Sequence, residues 1–221
     1  MKTKIFVAAS VLAVSSVASS VALAEVPLTA NIGVTSNYIW RGQTLSNDLS
    51  AVQGGVDYVH DSGFYAGTWT SSLFGGDYEL DIYAGYSMSA GPVDLDFGAL
   101  SYQYPVPSTY YREAYINGSW NFLNFGGAYT FASDDDDTAE YSQGDVYAYV
   151  GVAFELKKDL AVGATYGVYN YKNAGGDDYG HIQLTLSKDD FTVALDKNNR
   201  EGPNEDKVRF SVSWSKSLDL M

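Results

Sequence analysis

Between Asp145 and Phe154 the chain reads DVYAYVGVAF, and its residues sort by parity. Val146, Ala148, Val150, Val152 and Phe154 fall on one side; Asp145, Tyr147, Tyr149, Gly151 and Ala153 fall on the other. Successive side chains of an extended strand point to opposite faces, so this is a ribbon with one apolar face and one face of Tyr, Gly and acid. The period recurs along the chain. Leu28, Ala30, Ile32 and Val34 alternate with Thr29, Asn31, Gly33 and Thr35, and this reading continues through Ser36, Tyr38 and Trp40. Leu80, Ile82 and Ala84 alternate with Glu79, Asp81 and Tyr83, and Val208, Phe210, Val212 and Trp214 alternate with Arg209, Ser211 and Ser213. The stretch Phe64 to Ser71 is also read as a strand, but Trp, Thr and Tyr are spread over both parities and its facing stays open. The pattern predicts an all-β chain of about 12 strands.

The first residues predict export. Lys2 and Lys4 precede an apolar run from Ile5 to Val14, and Ala22-Leu23-Ala24 provides a small-x-small exit. These are the parts of a secretory signal peptide over residues 1–24, leaving a mature domain over 25–221. A membrane anchor would need about 20 continuous apolar residues, and Ser15, Ser16, Ser19 and Ser20 interrupt this run. No later stretch is long and apolar enough for a spanning helix, so a closed β-barrel is the remaining structure that could cross a bilayer. The formal net charge of −14 argues against nucleic acid and anionic headgroups as partners. The chain contains no Cys, which removes disulfides and thiolate metal sites.

The links carry a second signal. Longer ones are expected at 42–50, 72–77, 104–110, 132–144, 171–178 and 198–206, and shorter ones at 61–63, 89–92, 120–122, 156–159 and 188–190. Long and short alternate, as in outer-membrane barrels with short periplasmic turns and longer outer loops. An even strand count then puts both chain ends in the periplasm. In that topology Tyr38, Trp40, Tyr129 and Phe131 lie at outer strand ends and Trp120 and Trp214 at inner ends, as candidate aromatic girdles. A soluble β-sandwich or lipocalin-like barrel is the competing architecture; links and aromatics favour an up-and-down antiparallel transmembrane barrel.

Parity places Arg41, Asp57, Glu79, Asp81, Glu113, Asp145, Asp196 and Arg209 on the inward face. Two readings follow. The charges line a lumen that sorts ions, with Arg counter-charges at a constriction; or they form an internal salt-bridge network that plugs a narrow barrel. Asp134 to Asp137 is the densest charge run, without EF-hand spacing, and reads as a solvated loop. His60 and His181 are the two imidazoles. Ser187 is six residues, or about 20 Å of strand, from His181 and out of reach along that strand, so no activated nucleophile is evident. Asn117-Gly118-Ser119 matches a glycosylation sequon but falls on a wall strand.

The blocks GVTSNYIWRGQTLS, GGVDYVHDSGFYAGTW, ELDIYAGY and LSYQYP resemble those of the TorF-type porin-like family of Gram-negative bacteria, over nearly the whole mature chain. The resemblance implies an outer-membrane barrel with a channel role and supplies no substrate. The chain departs from the usual aromatic ending of such barrels, closing on Ser217-Leu218-Asp219-Leu220-Met221. The expectation is a bacterial outer-membrane channel, assembled by the barrel-assembly machinery and surrounded by outer-membrane lipid. It would pass small hydrophilic solutes or ions, with a preference for cations, and without cofactor or metal. The alternatives are a plugged barrel acting as adhesin, receptor or structural protein, and an outer-membrane hydrolase.

Overall fold

The computed structural model describes residues 28–106, 108–134, 140–173, 178–202, 205 and 207–220. The expected signal peptide and Asp135 to Asp137 of the acidic run lie outside them. The described residues form strands β1 (Leu28–Thr35), β2 (Ile39–Trp40), β3 (Gln43–Thr44), β4 (Ala51–Val59), β5 (Phe64–Ser72), β6 (Tyr78–Ala90) and β7 (Val93–Tyr104). Then follow β8 (Thr109–Trp120), β9 (Leu123–Ser133), β10 (Val146–Lys157), β11 (Leu160–Asn170), β12 (Tyr179–Lys188), β13 (Phe191–Asn198) and β14 (Arg209–Asp219). β1 and β4 to β14 close into a twelve-stranded antiparallel barrel, each strand pairing with its sequence neighbours in the wall. The seam is β14 against β1, from Thr29 opposite Asp219 to Thr35 opposite Ser213. β2 and β3 form a separate two-stranded ribbon. No described helix is long and apolar enough to cross a membrane.

The wall follows the alternation. Ile32, Val56, Ile82, Phe97, Ile116, Phe125, Val150, Leu184 and Phe210 project outward and are exposed in the isolated chain. Such a continuous apolar girth is unsuited to water and suited to hydrocarbon. The facing of β5 is settled: Phe64, Ala66, Thr68 and Thr70 are exposed, while Tyr65, Trp69 and Ser71 point inward. Each short link holds one residue in the left-handed region: Gly63 (φ 98°), Gly91 (65°), Asn121 (58°), Asp159 (59°) and Asp189 (51°). Gly, Asn and Asp tolerate that conformation best, which permits tight reversals. The last strand runs to Asp219, and Leu220 N–H still donates to the Leu28 carbonyl at 3.0 Å.

The first long link differs from expectation. The strand reading extended to Trp40, with Tyr38 and Trp40 in an outer girdle; β1 instead ends at Thr35 and the link spans 36–50. Tyr38 and Trp40 are buried inside the barrel, Trp40 with 1% of its surface exposed. The alternation persists past Thr35 because β2 is also extended, but its ladder partner is β3 and not a wall strand.

Candidate functional site

Residues 36–50 turn inward at the end of the barrel that carries the longer links. The segment is held first by its own side chains. Asn37 is the hub: its amide oxygen accepts from Thr44 Oγ1 (2.7 Å) and Ser46 Oγ (3.2 Å), and its Nδ2 donates to Asp48 Oδ1 (2.8 Å). Tyr38 N–H donates to Ser46 Oγ at 2.8 Å, and Leu45 N–H to the Tyr38 carbonyl at 2.8 Å. Ser, Thr and Asn satisfy turn backbones in this way. The ribbon reverses at Arg41 (φ 47°) and Gly42 (φ 80°). Glycine is required there twice over: the conformation is left-handed, and a Cβ would lie 2.5 Å from His181 Cβ.

The tip reaches far across the lumen. Arg41 donates from Nη1 to Glu113 Oε1 (2.7 Å) and from Nη2 to Oε2 (2.6 Å), a buried two-pronged ion pair to β8. Its guanidinium lies 4.2 Å from the ring centres of both Trp40 and Tyr147, and 5.4 Å from that of Tyr169. The Arg41 carbonyl accepts from Tyr179 OH (2.9 Å), and the Gly42 carbonyl from Asn198 Nδ2 (2.7 Å). Gln43 Nε2 donates to Tyr179 OH (2.8 Å), and Gln43 Oε1 accepts from Arg200. On the opposite side Tyr38 OH donates to Glu79 Oε1 of β6 at 2.8 Å. The hairpin thus touches β6 to β8 on one side and β10 to β13 on the other. Trp40 sits among Tyr102, Tyr111, Tyr141 and Tyr169 with ring centres 5.7 to 6.5 Å away.

The inward charges divide into groups. Glu79, Asp81 and Glu113 are buried beside the hairpin. Glu79 accepts from Tyr38 and Tyr104 (2.9 Å), and Glu113 from Arg41 and Tyr102 (3.2 Å). Asp81 is fully buried, and neither of its carboxylate oxygens has a hydrogen-bond partner. Asp196 is buried and accepts from Gln183 at 2.9 Å. Asp145 braces loop backbone, accepting from Ser142 N–H (3.0 Å) and Lys172 N–H (2.9 Å). Arg209 turns to the hairpin base, donating to Asp48 Oδ1 at 3.1 Å. Burial would raise the Asp48 carboxyl, but bonds from Lys207 and Asn37 and the field of Arg209 hold it below the usual range. Farther from the hairpin, Asp57 accepts from Asn31 (3.3 Å) and Tyr83, while Asp96 accepts from Tyr65 (2.6 Å) and Asn117 (3.4 Å). Asp96 and this tyrosine lining were missed as site residues; their inward parity was the available signal.

Of the other girdle candidates, Trp120, Tyr129 and Phe131 are exposed, and Trp214 is half-buried on the face of Phe210 and Val212. His181 Nε2 meets Tyr147 OH at 2.9 Å, while Ser187 bonds Thr192 at 2.9 Å, so the two do not form a pair. His60 lies in an exposed turn against Ser62 Oγ at 2.7 Å. Among the described residues no group of three or more His, Cys, Asp or Glu is placed to hold a metal ion.

Solved structures share this fold. The KdgM porin in complex with disordered oligogalacturonate matches at 10% identity, over 89% of this chain and 100% of that one, with a TM-score of 0.52. The NanC porin matches at 14% identity, over 88% and 100%, with a TM-score of 0.51. A structure from work on in-meso crystallization of membrane proteins matches at 10% identity, over 88% and 84%, with a TM-score of 0.61. At such identities the likeness is one of fold. A search of curated proteins finds no match. The model of the bacterial protein family of unknown function called Gcw_chp matches residues 20–198, and the chain, a twelve-stranded barrel crossed by an inward hairpin, belongs to that family.

Proposed function

We propose that this barrel is an outer-membrane channel for passive diffusion of small hydrophilic solutes, with a preference for cations. The signal peptide would direct export, the barrel-assembly machinery would insert the chain, and the apolar girth would meet outer-membrane lipid. The resemblance to TorF-type porins and the shared fold of KdgM and NanC support the channel class. The observation that carries the selectivity is the imbalance of the lining. Asp57, Glu79, Asp81, Glu113 and Asp196 face Arg41 and Arg209, and both arginines already have acidic partners, Glu113 and Asp48. KdgM was solved with oligogalacturonate, a polyanion; an acidic lumen favours the opposite sign of solute, because low-dielectric walls focus its field. No metal or cofactor enters this reading, and no reaction is assigned.

A salt gradient across a planar bilayer tests it. The reversal potential is expected to have the sign of cation preference, to weaken with Glu79→Gln plus Asp81→Asn, and to weaken toward about 1 M salt as the Debye length falls to about 3 Å. Anion preference in the unmodified protein would overturn the selectivity.

The hairpin favours a second reading, a plugged barrel that serves as adhesin, receptor or structural protein. It predicts no conductance from the unmodified chain, together with stable insertion and a heat-sensitive gel mobility.

A further inference from the structure

The geometry around Arg41 points to a ligand site on the wall that the chain's own hairpin occupies. Glu113 on β8, Tyr102 on β7, Tyr147 on β10 and Tyr169 on β11 all point inward and are buried. Glu113 faces the tip with both carboxylate oxygens, and Tyr147 and Tyr169 offer ring faces. A carboxylate able to take two parallel N–H bonds, flanked by aromatic faces, is the environment a planar guanidinium requires. Tyr102 OH at 3.2 Å from Glu113 Oε2 and His181 Nε2 at 2.9 Å from Tyr147 OH fix these wall groups independently of Arg41.

The occupant belongs to a different part of the chain. Arg41 is delivered by a two-residue ribbon whose turn puts a non-glycine residue in the left-handed region. The ribbon has no hydrogen bonds to the barrel ladder of the wall strands. Its tip is held by side chains: Glu113, Tyr179 and Asn198 on Arg41 and Gly42, and Arg200 on Gln43. We infer that Arg41 acts as an internal stand-in for a solute, and that small organic cations bearing a guanidinium group compete for Glu113, Tyr147 and Tyr169 and release the hairpin. Binding stands on this geometry alone; the consequence, a wider lumen, rests on the channel reading above.

The test empties the site and refills it. Arg41→Ala protein, folded in detergent and shown to be a barrel by its heat-sensitive gel mobility, is titrated with methylguanidinium at about 10 mM, far below denaturing concentrations. Its thermal midpoint is expected to rise by about 3 °C at tenfold saturation. Methylammonium, which carries the charge without the fork, is expected to give less than half that shift. Arg41→Ala with Glu113→Gln is expected to show no shift. Should Arg41→Ala fail to fold, Arg41→Met keeps the aliphatic stem against Trp40 and leaves the guanidinium position vacant for the same titration. An absent shift, or equal shifts with and without Glu113, would overturn the inference. In bilayers, methylguanidinium is expected to raise the conductance of the unmodified protein. A midpoint shift without conductance would retire the channel reading and leave the site; conductance without a shift would do the reverse.

Discussion

The two halves of the lumen are lined by the same alternation and yet are different places. At the long-link end Trp40, Arg41, Glu79, Asp81 and Glu113 are packed to near-complete burial by the hairpin. Toward the short turns, Asn31, Asp57, Tyr65, Asp96, Tyr115, Asn117 and Tyr149 are only half-buried and bond one another across strands. Toward the short turns these wall residues therefore present a polar lining that is partly exposed. At the long-link end residues 36–50 pack against the wall tyrosines and, together with Tyr141 and Arg200 from other links, bury the charges there. The hairpin and the wall are thus held by different bonds, side-chain contacts for the one and the backbone ladder for the other.

The largest effect expected from breaking this contrast is at Glu113. Glu113→Ala leaves Arg41 buried without its counter-charge, and loss of one partner of a buried pair costs about 3–5 kcal/mol. Denaturant unfolding in detergent checks the magnitude; a cost near that of a surface substitution would mean that water already reaches the hairpin tip. Next comes the contrast between wall faces. Val150, 51% exposed on the outer girth, and Tyr149, directed inward, are sequence neighbours. Val150→Arg is expected to cost about 2–4 kcal/mol in lipid and Tyr149→Arg much less; equal costs measured by folding into vesicles would deny one face its lipid. Gly42→Ala places a Cβ against His181 in a left-handed turn, and about 1–3 kcal/mol of strain is expected. Protease cleavage within 36–50 should then accelerate while the barrel keeps its gel mobility. The smallest effect is expected at Tyr83, a buried tyrosine that faces the half-buried Asp57: Tyr83→Phe removes one hydroxyl bond to Asp57 and is expected to cost about 0.5–1.5 kcal/mol, with the hairpin undisturbed.

The wall was legible because hydrocarbon imposes a demand at every second residue, and Val146 to Phe154 or Leu80 to Ala84 answer it without ambiguity. β5 was not, since Thr68 and Thr70 face outward opposite Trp69, and neither parity is distinctly greasy. The hairpin was hidden for a different reason. Ile39 and Trp40 remain extended, so the two-residue period runs on after the chain has left the sheet. The cue was Arg41-Gly42, a turn-compatible pair in mid-pattern. Parity placed Asp145 inward, but its employment as a brace for Ser142 and Lys172 depends on loop conformation, which alternation does not encode.

The seam between β1 and β14 joins the two most distant parts of the wall in sequence, which makes it entropically the most expensive closure in the chain. The hairpin springs from the end of β1 itself. Its bonds to Glu79, Glu113, Tyr179 and Asn198 link that edge strand to β6, β8, β12 and β13 through side chains. With those bonds in place, the loop left for the seam to close is shorter than the full wall, and its entropic cost is lower. The segment that fills one end of the lumen thereby also ties the first strand to the far side of the wall.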